Sequence, residues 1–395
     1  MKKSQNLIKS FVSSEFFGGI LLFISTILAL LLSNSFWAEQ YENFWKINLG
    51  ITIHQFFIGF SLENWINDVL MSFFFLMVGL EIKKEFLVGE LSNFKNALFP
   101  VFAAIGGMII PGLIYYGLNF HTPSYHGFGI PMATDIAFAL GVVLLLGKKV
   151  PPSLKIFLVT LAVVDDLGAI LVIGLFYTQE IHWIFLILAC AIILLLMLCN
   201  YLSVSSLWIY IPMGAILWLL IHESGIHATI SAVILAFCIP LRVAKKSYQQ
   251  SQKIQTPLEK LEHFLQPYCI YLIMPLFAFA NAGVRFSEKL DFGIDHIFLG
   301  IFLGLLVGKP IGIFGICFIC DCLGIAKKPS QVSWAHIFGA GMLAGIGFTM
   351  SIFVTHLAFS HIDSREIAKA TVLFSSLLAA IFGAFALFLI NKISK

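Results

Sequence analysis

Apolar runs long enough to cross a bilayer recur along this chain from Phe16 to the C-terminal end, separated by short charged or proline-rich connections. A spanning helix needs roughly 17–25 mainly apolar residues, since each adds about 1.5 Å to a path through about 30 Å of hydrocarbon. With 395 residues, 59% hydrophobic and only 11% charged, the chain has too few polar side chains to cover a soluble globule of its size. The pattern predicts an all-α polytopic membrane protein with about twelve transmembrane helices. The first run, Phe16–Leu32, follows a basic start at Lys2, Lys3 and Lys9. It exceeds a signal-peptide core and no Ala-x-Ala pattern follows, so it is expected to be retained as a helix. Between the first two runs, Ile47–Ile53 alternates apolar and polar residues around Gly50, which predicts a short external strand or hairpin.

Orientation follows from the basic residues when the loops are numbered alternately inside and outside. One set of ends and loops holds Lys2, Lys3, Lys9, Lys83, Lys84, Lys95, Lys148, Lys149, Lys155, Arg242, Lys245, Lys246, Lys253, Lys260, Lys327, Lys328, Lys392 and Lys395; the other holds only Lys46, Arg285, Lys289, Arg365 and Lys369. The split is 18 against 5, and with Lys309 it accounts for all 24 Lys and Arg. Both termini are therefore expected to be cytoplasmic, in agreement with an even number of spans. The longest polar connection, Arg242–Pro257, reads as a cytoplasmic loop, and no segment suggests a soluble domain. A net charge of +3 without a basic, aromatic-interleaved patch excludes a nucleic-acid partner. The seven cysteines sit mostly singly in apolar runs; Cys317, Cys320 and Cys322 approach metal-ligand spacing, but no histidine stands near them.

Asp165 and Asp166 stand side by side in the otherwise apolar Phe157–Phe176, and Asp135 follows Thr134 in the preceding run. An ionised carboxylate at the centre of a bilayer helix costs about 2.5–3.5 kcal/mol or more, so such groups face a hydrated path, a bound ion or a partner. Lys309, followed by Pro310, is the single charge in Ile297–Phe318 and calls for a buried partner; snorkelling to the headgroups is the alternative. Two runs carry breaks near their middles. The fourth, about 121–147, reads Pro131-Met-Ala-Thr134-Asp135, and the eleventh, about 333–359, reads Gly345-Ile-Gly347-Phe-Thr349. Paired interruptions in two halves of a transporter mark its site, with helices 3–5 and 10–12 as repeats of inverted topology.

Adjacent helical residues point about 100° apart, so Asp165 and Asp166 cannot address one partner from one direction. The simplest division gives one of them to Lys309 and the other, with Asp135, to a cation; spacing alone leaves open which is which. Freed carbonyls and the Thr134 hydroxyl would add neutral oxygens, and an all-oxygen site suits a hard cation such as Na⁺ or Li⁺. At a helix break the N–H ends carry partial positive charge, which Asp135 would offset, and the C=O ends partial negative charge, which Lys309 would offset. Desolvation and a second carboxylate both favour the protonated acid, while a bound cation expels the proton. One site shared by protons and cation and exposed alternately to the two sides gives antiport, electrogenic if two carboxylates release protons for each monovalent ion.

Ile130-Pro-Met-Ala-Thr-Asp-Ile-Ala-Phe-Ala-Leu-Gly141, Val163-Val-Asp-Asp-Leu-Gly-Ala169 and Gly308-Lys-Pro-Ile-Gly312 resemble the NhaA family of bacterial sodium/proton antiporters. Similar blocks run through Trp65-Ile-Asn-Asp68, Gly79-Leu-Glu-Ile-Lys-Lys-Glu85, Ser224-Gly-Ile-His-Ala-Thr229, Pro275-Leu-Phe-Ala-Phe-Ala-Asn-Ala-Gly283 and Gly345-Ile-Gly-Phe-Thr-Met-Ser351, covering nearly the whole chain. The resemblance implies broken helices 4 and 11 crossing at mid-membrane, with a core bundle (roughly 95–178 and 296–391) moving against an interface bundle (roughly 12–90 and 223–288), linked by helices at roughly 182–220. It makes Asp166 the principal carboxylate for Na⁺ and H⁺, Asp135 its helper, and Asp165 the partner of Lys309. It also implies a homodimer through the hairpin, where Phe56, Phe57 and Phe60 fit the family pattern loosely, no cofactor, and residence in the bacterial inner membrane. Glu81, Lys83, Lys84, Glu85, Glu262 and His227 match the family's pH-response positions, although Glu259 stands where a basic residue is frequent. From the residues alone, the Glu and Lys run reads as a solvated helix end and His227 as a packing group.

Two other classes share the buried carboxylates. A membrane aspartyl protease, the enzyme alternative, expects a Gly-x-Gly-Asp signature that this chain lacks. A proton-coupled carrier of an organic substrate needs a roomy cavity with specificity groups, whereas the mid-helix charges here are the acids and one lysine.

Overall fold

The computed structural model describes residues 15–53, 56–146, 150–178, 180–241, 255–285, 295–329 and 331–393. Lys2, Lys3, Lys9, Lys148, Lys149, Arg242, Lys245, Lys246, Lys253, Lys289 and Lys395, part of the expected charge asymmetry, lie outside the described residues, as does most of the Arg242–Pro257 connection.

Among the described residues, eight helices are long and apolar enough to span a membrane: Leu62–Leu87, Ala97–Asn119, Pro123–Leu146, Pro152–Phe176, Trp183–Tyr201, Pro257–Asn281, His296–Cys322 and Ile362–Ile390. Two bent pairs join them, Phe17–Ser33 with Ala38–Trp45 at 117° and Trp334–Ala344 with Phe348–Ala358 at 47°. Two shorter apolar helices, Leu207–Glu223 and Thr229–Cys238, stand where the seventh and eighth spans are expected. These segments are called spans 1 to 12 in chain order. The protein is thus an all-α polytopic membrane protein with one small sheet, as its apolar periodicity predicts.

The chain forms two compact units. The first comprises Met1–Glu42, Gly89–Ala169 and Ala278–Lys395. Within it, span 3 and span 10 touch backbone to backbone. A Cβ on Gly106 would fall 2.2 Å from the Gly312 carbonyl oxygen, and one on Gly312 equally close to that of Gly106. Without a hydrophobic drive between helices in lipid, such small-residue contacts let main chains approach and gain dispersion energy. A π-helical turn, Gly304–Gly308, interrupts span 10 immediately before Lys309 and resets its register. Pro310 falls in the first turn of the α-helix that follows. Lacking an N–H, that proline gives no bond to the carbonyls of the π-helical turn before it.

Spans 4 and 11 are both interrupted. The first half of span 4, Pro123–Met132, is a 3₁₀ helix containing Pro131; residues 133–135 are extended and an α-helix resumes at Ile136–Leu146. The interruption therefore falls just after Pro131, which lies inside the 3₁₀ segment. In span 11 the helices Trp334–Ala344 and Phe348–Ala358 flank a break at 345–347. Gly345 and Gly347 lie in it, while Thr349 is already helical.

The second unit comprises Asn43–Val88 and Ile170–Phe277. Its hairpin pairs β1 (Asn48–Ile53) with β2 (Phe56–Ser61) antiparallel, from Asn48 opposite Ser61 to Ile53 opposite Phe56. The second strand extends the expected Ile47–Ile53 element through the phenylalanine-rich stretch. Span 2 follows at once, and its Trp65 indole N–H donates to the Leu49 carbonyl at 2.9 Å, tying helix to hairpin. Gly225, at φ +86°, makes the left-handed turn out of span 7 that leads to His227 and span 8.

Candidate functional site

Asp165 and Asp166 both lie buried on span 5. The Lys309 ammonium donates to Asp165 Oδ2 at 2.7 Å and to the Thr134 hydroxyl oxygen at 2.7 Å, with the lysine and aspartate side chains fully buried. Thr134 Oγ1 in turn lies 2.6 Å from Asp165 Oδ2 and 3.0 Å from the Ala344 carbonyl oxygen, with one hydrogen to give to either. Ala344 ends the first half of span 11, so its carbonyl belongs to the negative end of that half-helix. Lys309 thus addresses that end through Thr134. A buried pair of this kind persists only where further hydrogen bonds offset desolvation, and the threonine supplies one. The other carboxylate oxygen, Asp165 Oδ1, is buried without a hydrogen-bond partner.

Asp135 sits where the two interruptions meet. Its backbone N–H donates to the Ile346 carbonyl at 2.6 Å, joining the extended stretch of span 4 to the break of span 11. Asp135 Oδ1 accepts the Phe138 N–H at 3.2 Å. Asp135 Oδ2 accepts the Thr349 N–H at 3.1 Å and its hydroxyl at 2.6 Å. Phe138 and Thr349 lie in the first turns of the second halves of spans 4 and 11, so one carboxylate caps both helices and offsets two positive ends at once. Ser351 adds a further link between the same spans by donating to the Ile130 carbonyl at 2.7 Å.

Because Thr134 and Asp135 are consecutive, as are Asp165 and Asp166, the capped carboxylate and the ion pair belong to one buried polar locus. Asp166, the next residue, leaves span 5 about 100° around the helix axis from Asp165. Among the described residues no group of three or more His, Cys, Asp or Glu side chains converges as a metal site, and Cys317, Cys320 and Cys322 are free thiols.

The candidate pH-response residues all lie in the second unit, at two separate places. Lys84 meets both carboxylate oxygens of Glu262 at 2.9 Å. Beside it on span 2, buried Lys83 donates to the Phe237 carbonyl at 2.8 Å and to that of Ile239, capping the C-terminal end of span 8. Glu81 and Glu85 occupy the same stretch of span 2. His227 is not part of this group. It precedes the N-terminal end of span 8, with Nδ1 2.8 Å from the Thr229 hydroxyl and Nε2 3.7 Å from Asp68 Oδ1. The ten residues of that helix separate it from Lys83.

Sequence reasoning missed two polar residues of these sites. Thr349 gave no signal beyond its place in the Gly345–Ser351 block. Asp68, an acid inside the apolar span 2, had the same signature as Asp135 and could have been singled out by the same argument.

A model of the Na+/H+ antiporter 1 family matches residues 9–387. The Na+/H+ antiporter NhaA of Helicobacter pylori strain HPAG1 is 52% identical, over 99% of this chain and 98% of its own length. The Na+/H+ antiporter NhaA 2 of Helicobacter hepaticus is 51% identical over 98% and 96%, and the Na+/H+ antiporter NhaA of Wolinella succinogenes 48% over 96% and 92%. With matched breaks in spans 4 and 11, buried carboxylates between them and a family match along almost its whole length, this chain belongs to the Na+/H+ antiporter 1 family.

Proposed function

We propose that this protein is a secondary antiporter that exchanges cytoplasmic Na⁺ or Li⁺ for external H⁺ by alternating access in the bacterial inner membrane. The observation that carries the reading is the buried locus where the Asp135 carboxylate caps two half-helices beside the Thr134–Asp165–Lys309 group. Asp166 is the principal carboxylate, exchanging protons for cation while Asp165 is engaged by Lys309, and Asp135 supplies the second negative charge. The exchange needs no cofactor and moves Na⁺ and H⁺ without converting a substrate to a product, so the protein is a transporter and not an enzyme. Release of two protons for each cation makes the cycle electrogenic.

The moving parts are a core of roughly 95–178 and 296–391 and an interface bundle of roughly 12–90 and 223–288, in a homodimer joined through the hairpin, with both termini cytoplasmic. Glu81, Lys84, Glu85, Glu262 and His227 adjust the response to pH from two places rather than one. The test is transport in proteoliposomes, with Na⁺, Li⁺ or K⁺ used to dissipate a preset pH gradient and Asp166→Asn compared with wild type. Na⁺ or Li⁺ should collapse the gradient in wild type and leave the asparagine variant inert. Normal transport by Asp166→Asn, or no cation-driven proton movement between about pH 6 and 9, would leave the organic-substrate carrier as the better reading.

A further inference from the structure

The geometry points to Thr349 as a positioning residue of the exchange site: its hydroxyl holds the Asp135 carboxylate and thereby sets how protons and cation compete there. This rests on the antiport reading above and adds to it a residue whose side chain carries no charge.

Buried threonines in helices commonly satisfy their hydroxyls on the carbonyl four residues back, an acceptor within reach on the same helix. Thr26 does so with Leu22 at 2.8 Å, Thr160 with Ile156 at 3.0 Å, Thr355 with Ser351 at 2.8 Å and Thr371 with Ile367 at 2.7 Å. Thr349 departs from this habit. The residue four back is Gly345, inside the break, and the hydroxyl instead donates to Asp135 Oδ2 at 2.6 Å, on another span. Its own N–H reaches the same oxygen. The backbone N–H donors to Asp135, from Ala137, Phe138 and Thr349, are fixed by the main chain, whereas the hydroxyl can rotate and exchange donation for acceptance. Among these donors the Thr349 hydroxyl is therefore the contact able to follow a change in the protonation of Asp135. Thr134 plays the matching part on span 4, placing its hydroxyl between Lys309 and the Ala344 carbonyl of span 11.

A hydrogen bond to a charged group outweighs a neutral one, so its loss shows as a tenfold change or more. Thr349→Val keeps the shape and the backbone donor and removes the hydroxyl. In proteoliposomes the Na⁺ concentration for half-maximal exchange should rise about tenfold at neutral pH, with a smaller rise in alkaline conditions where protons compete less, and a maximal rate reduced less than the affinity. Thr349→Ser should restore wild-type affinity and pH dependence. Thr355→Val, which removes a hydroxyl bonded within its own helix, should leave both unchanged.

If Thr349→Val exchanges with wild-type affinity and pH profile, or if Thr349→Ser is as impaired as the valine form, the inference is overturned while antiport stands. Should the valine form fail to purify, the same contrast is read between Thr349→Ala and Thr349→Ser. Absence of exchange in wild type overturns the antiport reading itself, and the inference with it.

Discussion

Two ion pairs of almost equal length divide the molecule's charge chemistry. Lys309–Asp165 measures 2.7 Å with neither side chain exposed, and Lys84–Glu262 measures 2.9 Å with the lysine 38% and the glutamate 14% exposed. The first has given up all its water and holds its place through Thr134 and the carbonyl end of a half-helix. The second keeps water within reach on both partners. Separation between charges thus says little about what a pair does; the surroundings decide whether it is a constraint on the fold or an adjustable contact.

Removing one partner should expose the difference most plainly. Lys309→Ala leaves Asp165 and Thr134 buried without their donor, and is expected to lower stability by about 3–5 kcal/mol. The thermal midpoint of the purified protein in detergent reads this. Combining it with Asp165→Asn, which removes the stranded charge, should recover most of the loss. A single variant as stable as wild type would collapse the comparison, because the buried pair would then be no more constrained than the exposed one.

A smaller effect is expected from the contact that sets where Lys309 stands. Gly312 lies three residues beyond it, and its added Cβ would meet the Gly106 carbonyl oxygen at 2.2 Å, main chain against main chain. Gly312→Ala must push spans 3 and 10 apart, at about 1–3 kcal/mol, and should weaken exchange as well by displacing the ammonium from Asp165. A melting shift without any change in transport would mean that Lys309 tolerates the displacement and that the locus is less rigid than its hydrogen bonds suggest.

Much of this arrangement is legible in the chain because it depends on local pattern. Long apolar runs set the spans, Gly345 and Gly347 set one break, and isolated charges in those runs identify the residues that must find partners. What stays hidden depends on rotation between helices. That Asp165 and Asp166 diverge by about 100° follows from helix geometry, but the meeting of Asp165 with Lys309 depends on how span 10 is turned by its π-helical Gly304–Gly308 and seated at Gly106. Periodicity encodes neither. The same holds for Thr349, an unremarked polar residue until the neighbouring break takes away its usual carbonyl, and for His227, whose distance from Lys83 is the length of a helix rather than of a motif.

The mildest expectation sharpens the other side of the comparison. Lys84→Met retains an apolar stem and removes the charge that meets Glu262. Partly exposed pairs contribute little, so the loss of stability should stay within about 1 kcal/mol. It should also shrink as salt rises from about 0.05 to 0.5 M, since screening shortens the reach of charges in contact with water. Transport separates the two roles left for this pair. A solvated helix end would leave the pH profile of exchange where it was, whereas a pH-responsive contact would move that profile although stability barely changed. A shift in the profile accompanied by a large, salt-independent loss of stability would place Lys84–Glu262 with Lys309–Asp165, and exposure would cease to be the variable that distinguishes them.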